Sequence, residues 1–117
     1  MTPAAFFVKN GIVGLAVSAA AIVAFTSLAP ASDVSVMASL NDKVRHVLAY
    51  AVLGALFAEA FRARSWLMIA VGVAAYGGAI ELLQGIMPVG REASWLDQLA
   101  NTAGAFVGVL ALRFARR

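Results

Sequence analysis

Four apolar stretches of membrane-spanning length dominate this chain of 117 residues. A stretch of about 20 residues with few charges is long enough to cross the hydrocarbon core of a bilayer as a helix. Charged residues make up only 13% of the sequence, too few to cover the surface of a soluble domain. The pattern therefore predicts an all-α fold, a four-helix transmembrane bundle, in a single domain over residues 1–117. The predicted spans are residues 12–29, 44–61, 66–87 and 95–114.

Residues between the stretches are typical of helix ends. Asn41 is a candidate N-cap for the second span, with Asp42 in its first turn, where the helix dipole favours negative charge. Pro88 ends the third span, and Ser94 and Asp97 have the spacing of a capping box at the start of the fourth. Because the connections are short, neighbouring helices are predicted to be antiparallel.

The distribution of basic residues predicts the orientation. Cytoplasmic loops carry an excess of lysine and arginine, so the richer end of the bundle should be cytoplasmic. Both termini then lie in the cytoplasm, and residues 30–43 and 88–94 lie on the outer side of the membrane. Basic residues at helix ends give no indication of nucleic-acid binding. The richer end carries Lys9, Arg62, Arg64, Arg113, Arg116 and Arg117, and the other carries Lys43, Arg45 and Arg91.

The end of the first span allows a second interpretation. Ala29-Pro30-Ala31 has the small-x-small form of a signal-peptidase site, so this span is either a retained helix or a cleaved signal. Its apolar stretch is long for a signal, and three further spans follow. We therefore expect it to be retained.

Polar residues within the spans gather at one end of the predicted bundle. The second and fourth helices begin there and the third ends there, so antiparallel packing brings their polar groups together. Glu81 lies about 9 Å inside its helix end at 1.5 Å per residue, and an ionisable residue at such depth usually faces the bundle interior or a polar cavity. The sequence predicts an outward-facing polar cup, in which Glu81 pairs with some of its neighbours. The cup comprises Asp42, Lys43, His46, Tyr50, Glu81, Gln84, Arg91, Asp97 and Asn101.

Small residues recur four residues apart on two of the helices. Such stripes allow helix backbones to approach closely in lipid, where packing drives association. They predict close helix contacts along Ala74 and Gly78 on the third helix and along Ala100, Gly104 and Gly108 on the fourth.

Three strings of polar residues stand in a fixed order along the chain. They are Asp42-Lys43-x-x-His46-x-x-x-Tyr50, Glu81-x-x-Gln84, and Pro88 and Arg91 followed by Asp97-x-x-x-Asn101-x-x-Gly104. In that order and spacing they resemble the VanZ-like family of bacterial integral membrane proteins. The resemblance covers about residues 41–108. The family takes its name from a protein associated with low-level teicoplanin resistance, and the resemblance implies no settled biochemical activity.

The cup and the resemblance together suggest a protein that binds or modifies an envelope lipid or lipid-linked cell-wall precursor at the extracytoplasmic face. Acids beside cations suit a headgroup with a phosphate or an amine. If a reaction occurs, Glu81 and His46 are the candidate acid–base pair. Asp97 would then orient His46, and Arg91 would stabilise developing negative charge. Whether the protein is an enzyme stays open.

Three other hypotheses remain. Four spans and one embedded carboxylate also suit a small proton-coupled transporter, although Glu81 is displaced toward one face. A second hypothesis gives the polar residues a structural role alone, as helix caps, interfacial aromatics and interhelical hydrogen bonds. A metal site from His46, Glu81 and Asp97 is disfavoured, because the chain has one histidine and no cysteine while zinc sites usually have more such ligands. No cofactor is therefore predicted.

Overall fold

Four helices make up the described part of the chain. The computed structural model describes residues 1–29, 36–88, 90 and 92–116, and for residues 36–41 the backbone only. The helices are α1 (Pro3–Leu28), α2 (Val36–Ala60), α3 (Trp66–Ile86) and α4 (Trp95–Ala115), with no strand among the described residues. The prediction of an all-α, four-helix fold is confirmed. By length and composition, α1 and α3 are each apolar enough to cross a membrane.

Two helices begin earlier than the predicted spans. Thr2 caps α1 by accepting a hydrogen bond from the backbone N–H of Ala5, and Pro3 occupies the first turn, where its missing N–H costs nothing. Helix α2 begins at Val36, so the prediction of Asn41 as its N-cap is wrong and Asp42 lies beyond its first turn. No glycine or proline interrupts residues 36–44, so the helix continues outward past the apolar span.

The central contact of the bundle joins α2 to α4, which run parallel. Gly104 and Gly108 on α4 lie directly against the backbone of Val47 and Ala51 on α2. From the other side, a Cβ at Gly54 would fall 2.6 Å from the carbonyl oxygen of Ala105. The predicted close approach along the α4 stripe is confirmed at its two glycines.

Helix α3 runs antiparallel to both. The turn between α2 and α3 is held from α4, because the Arg113 guanidinium donates to the carbonyl oxygens of Phe61 and Arg64, at 3.4 and 2.9 Å. Ser65 then caps α3 by accepting from the N–H of Met68. This end of the bundle is opposite the end where the polar residues gather.

Helix α1 lies at the periphery, and of its residues only Ala16 is fully buried. Two side chains of α3 hold it in place. The Tyr76 hydroxyl donates to the carbonyl oxygen of Ala20, and the Gln84 amide nitrogen donates to that of Ser27 at 2.7 Å. Residues 30 and 31, which complete the candidate signal-peptidase site, lie outside the described residues.

Candidate functional site

A group of polar side chains joins the starts of α2 and α4 to the end of α3. We call it the polar cluster: Asp42, Lys43, His46, Glu81, Asp97 and Asn101. The Lys43 ammonium forms an ion pair with the Asp97 carboxylate across the α2–α4 contact. The other Asp97 oxygen lies 3.9 Å from Nε2 of His46, and Oδ2 of Asp42 lies 3.5 Å from the same nitrogen. The sequence spacing thus correctly placed Asp42 beside His46.

His46 is held by a chain of hydrogen bonds through α4. Its Nδ1 lies 2.6 Å from Oδ1 of Asn101, which is only 1% exposed. The Asn101 amide nitrogen donates to Oε1 of Gln98 at 3.4 Å, and Gln98 Nε2 donates to the carbonyl oxygen of Ala74 at 2.9 Å. This pattern assigns the amide orientations, so Asn101 presents its oxygen to His46 and must accept.

The hydrogen-bond pattern also assigns the histidine tautomer. Because Asn101 accepts, Nδ1 of His46 carries a proton, and in the neutral ring Nε2 carries the lone pair. That nitrogen faces the carboxylates of Asp42 and Asp97. We expected Asp97 to orient His46. At 3.9 Å its oxygen is beyond hydrogen-bond distance, and Asn101 supplies the orienting bond instead.

Gln98 is a site residue that sequence reasoning missed. It connects Asn101 to the backbone of α3 and also donates to the Thr102 hydroxyl at 3.3 Å. The available signal was its position three residues before Asn101, which places both amides on one face of an otherwise apolar helix.

Glu81 is the most deeply buried acid of the cluster, at 4% exposure. Its Oε2 accepts the backbone N–H of Ser94 at 3.1 Å. The Ser94 hydroxyl in turn accepts the N–H of Asp97, which confirms one half of the predicted capping box. In the other half of a capping box, the acid at the Asp97 position would accept the backbone N–H of Ser94. Here Asp97 pairs with Lys43, and Glu81 from α3 accepts that N–H instead.

The second carboxylate oxygen of Glu81 has no hydrogen-bond partner among the described residues, although it is buried. Lys43, His46 and Asp97 lie within electrostatic range of the carboxylate. A buried acceptor without a donor costs about 1–3 kcal/mol. An ionised carboxylate needs a donor at this oxygen, which a water molecule or a bound ligand would supply, whereas protonation would turn the oxygen itself into a donor.

The other predicted site residues have different surroundings. Tyr50 is buried in the core below the cluster, with its ring against Gly77, and interacts electrostatically with Glu81. Gln84 is equally buried, but its described hydrogen bond goes to α1 rather than to the cluster. Arg91, the expected anion-stabilising cation, lies outside the described residues.

An apolar cavity of about 350 Å³ opens between α1, α2 and α3. It begins at Tyr76 and extends toward the opposite end of the bundle. Its walls include Ala20, Leu53, Phe57, Ile69, Gly72 and Val73.

The opposite end carries a second acid, Glu59, whose side chain is partly buried at 18% exposure. It pairs with Arg62, which lies 3.7 Å away in the turn that follows α2. Arg116 from α4 makes a second ion pair that the sequence did not predict. Glu59 is thus held by two cations, whereas Glu81 has none in direct contact among the described residues.

Comparison with known proteins identifies the family. No curated protein and no solved structure matches the chain. The VanZ/LLP1 family matches it over residues 5–116, which confirms the resemblance and extends it to α1. Helices α1 and α3 are also long and apolar enough to cross a bilayer. The chain therefore belongs to the VanZ/LLP1 family, as a VanZ-like membrane protein.

Proposed function

We propose that this protein binds an envelope lipid or a lipid-linked cell-wall precursor, with the headgroup in the polar cluster at the extracytoplasmic face. The observation that carries the proposal is the buried Oε1 of Glu81, which has no hydrogen-bond partner among the described residues and lies within electrostatic range of Lys43 and His46. Buried polar atoms in native proteins nearly always have partners. A headgroup hydroxyl or amine would donate to this oxygen.

The proposal includes four spans in a bacterial inner membrane, with both termini cytoplasmic. The polar residues of α2 and α4 face each other, while Val44, Leu48 and Val52 on α2 and Leu99 and Val107 on α4 are exposed, as in helices that face lipid. The basic residues Lys9, Arg62, Arg64, Arg113 and Arg116 lie at the end opposite the polar cluster. The positive-inside rule then places the polar cluster outside.

The charges of the cluster favour a headgroup with an anionic phosphate and a hydrogen-bond donor. Lys43 and Arg45 are partly exposed at the rim, where Arg45 pairs with Asp42 only at 3.6 Å. These cations would bind the phosphate, and Glu81 would accept from the hydroxyl or amine. An acyl or prenyl chain would follow the apolar wall toward the cavity that begins at Tyr76.

If the bound lipid is modified, this chain offers an acid–base pair in the right place. Asn101 fixes the His46 ring with the lone pair of the neutral ring on Nε2. When it binds no metal, Nε2 would accept a proton from a headgroup hydroxyl. Glu81 would hold the same headgroup through Oε1. Asp97 would stabilise the imidazolium that forms, since its Oδ2 lies 3.9 Å from Nε2.

Native mass spectrometry in mild detergent tests lipid binding. Protein would be incubated with phosphatidylglycerol, phosphatidylethanolamine or a polyprenyl phosphate. We expect a one-to-one adduct that Glu81→Gln and His46→Ala each weaken at least about tenfold, as expected for a charge-assisted hydrogen bond lost from a buried site. Glu59→Gln, which alters the partly buried acid at the opposite end, should leave the adduct unchanged.

Two results would overturn the proposal. One is the absence of any adduct on the unaltered protein. The other is an adduct that survives in both cluster variants while they only unfold more easily, which would favour a purely structural cluster.

Filling the apolar cavity gives a further check. Gly72 lines the cavity, and a side chain added there would enter open space. Gly72→Phe should weaken binding of long-chain lipids relative to Gly72→Ala.

The transporter hypothesis gains no support from the described residues. Alternating access needs a carboxylate that both faces can reach. Glu81 lies toward one end, and Glu59 at the other is held by Arg62 and Arg116.

A further inference from the structure

Two carboxylates and one imidazole converge at the start of α2 and α4. Asp42, His46 and Asp97 each offer one ligand atom, and these three atoms lie within 4.8 Å of one another. The two contacts to Nε2 of His46 are 3.5 and 3.9 Å. Ligands at about 2.0–2.1 Å in a tetrahedral zinc site are about 3.3 Å apart, so small side-chain rotations would close the set around an ion.

The histidine is prepared for this role by its other nitrogen. Ligating histidines almost always donate their second ring N–H to a carbonyl or carboxylate, which fixes the tautomer and the ring plane. Nδ1 of His46 makes such a bond to Asn101, itself held by Gln98. In the neutral ring the Nε2 lone pair is consequently directed at the two carboxylates. A proton on Nε2 or a metal cation between these groups would relieve the repulsion.

A separate observation also indicates a missing ligand. Oε1 of Glu81 is buried without a described partner, and the carboxylate is within electrostatic range of His46 and Asp97. A water bound in the open position of a three-ligand metal site would donate to it. Among the described residues the carboxylates of Asp42, Glu81 and Asp97 outnumber the cations Lys43 and Arg45 by one.

We propose that Asp42, His46 and Asp97 bind a divalent transition-metal ion, with Zn²⁺ or a close analogue as the occupant. One imidazole and two carboxylates suit such an ion better than Ca²⁺ or Mg²⁺, which prefer oxygen ligands alone. The sequence disfavoured a metal because the chain has one histidine and no cysteine, and the set considered there was His46, Glu81 and Asp97. The structure places Asp42 there, and leaves Glu81 beside the ion.

The Lys43 ammonium competes with the metal for Asp97. Removing it should therefore strengthen metal binding, the reverse of what a structural role for the ion pair would give. Lys43 is 43% exposed and Lys43→Met keeps its apolar stem, so the variant is expected to fold, although the Asp97 carboxylate, 14% exposed, loses its cation. Without the Lys43 ammonium, the Asp97 carboxylate is available to bind the metal ion.

The experiment is isothermal titration of chelator-stripped protein in detergent with Zn²⁺ and Co²⁺, with no lipid added. A polyhistidine purification tag must be removed, because it would bind Zn²⁺ itself. Without it, His46 is the one histidine present. We expect one ion per chain and tetrahedral Co²⁺ absorption. His46→Ala and Asp42→Asn should weaken binding at least about tenfold, and Asn101→Leu about 10–100-fold. Lys43→Met should tighten binding, and Glu59→Gln should not change it.

A lack of binding by the unaltered protein would overturn the metal site, as would wild-type affinity in His46→Ala. Weaker binding in Lys43→Met would also overturn it. The inference does not rest on the lipid proposal. A lipid adduct that survives chelation, together with absent metal binding, would reject this site alone. Metal binding without any lipid adduct would reject the lipid proposal alone.

Discussion

Glu81 on α3 accepts the backbone N–H of Ser94 through Oε2 at 3.1 Å, and so caps α4 from a neighbouring helix. In a capping box the acid comes from the third residue of the capped helix. Asp97 occupies that position but pairs with Lys43 on α2. The two acids therefore have separate structural roles, because Glu81 satisfies the helix end while Asp97 joins α4 to α2.

Replacing Glu81 should reveal the strength of this cap. Glu81→Leu removes the acceptor and should lower the free energy of unfolding by about 1.5–3 kcal/mol, the range for a hydrogen bond to a charged group. Glu81→Gln retains an oxygen acceptor and should lose less. Unfolding in mixed micelles would measure both, with Glu92→Gln in the exposed loop as the control. A leucine variant as stable as the unaltered protein would contradict the capping role.

The glycines between α2 and α4 give a prediction about packing. Gly104→Ala and Gly108→Ala would each place a methyl group against the α2 backbone, at Val47 and Ala51. We expect a cost of about 1–3 kcal/mol, because rigid backbone cannot move aside as a side chain can. Gly72→Ala is the matched control, since a Cβ there meets nothing within 4 Å.

The sign of the change in the free energy of unfolding for Gly72→Ala separates the effect of packing from that of helix propensity. In an open helical position, alanine in place of glycine gains up to about 1 kcal/mol. Gly72→Ala should therefore be neutral or stabilising in the same unfolding measurement. If all three variants were stabilised, the close approach of α2 and α4 would be refuted.

The sequence predicted the contacts that helical spacing determines. Asp42 and His46 lie one turn apart, so their contact follows from α2 alone. The meeting of α2, α3 and α4 at one end followed from short connections and antiparallel order. Gly104 and Gly108 marked the closest helix contact, because few other reasons place small residues at four-residue spacing in an apolar helix.

Contacts that depend on helix rotation were not predictable in this way. Gln84 is one turn from Glu81, yet its described hydrogen bond goes to Ser27 on α1. The cap of Ser94 by Glu81 requires knowing how α3 is turned toward the following loop. The early start of α2 was missed because the apolar stretch gives only the length that would cross a bilayer. The helix itself is longer, because no proline or glycine interrupts its backbone before Val36 is reached.

The tautomer of His46 is open to direct measurement, because the sequence contains one histidine. In chelator-treated protein at high pH, ¹⁵N spectra of the neutral ring should show the proton on Nδ1. Asn101→Leu removes the accepting oxygen and should abolish that preference. Asn101→Asp, which keeps an acceptor, should retain it. A proton on Nε2 in the unaltered protein would contradict the assigned hydrogen-bond chain.

The proposed topology predicts which loops meet the cell exterior. The sequence lacks cysteine, so single substitutions can be labelled without background. Ala63→Cys and Glu92→Cys lie in exposed connections on either side of α3. With an impermeant maleimide on intact spheroplasts, Glu92→Cys should react, and Ala63→Cys should react only after permeabilisation. Leu48→Cys, on an exposed apolar face, should react slowly in both.

The pattern of labelling separates two errors. Reversed accessibility would mean that the basic end faces outward, so the lipid headgroup would have to be sought on the cytoplasmic side. Reaction of Ala63→Cys and Glu92→Cys from the same side would mean that α3 does not cross the membrane. In that case Glu81 would not lie within the outer part of the bilayer, as the proposed headgroup site requires, and the four-span arrangement would also be wrong.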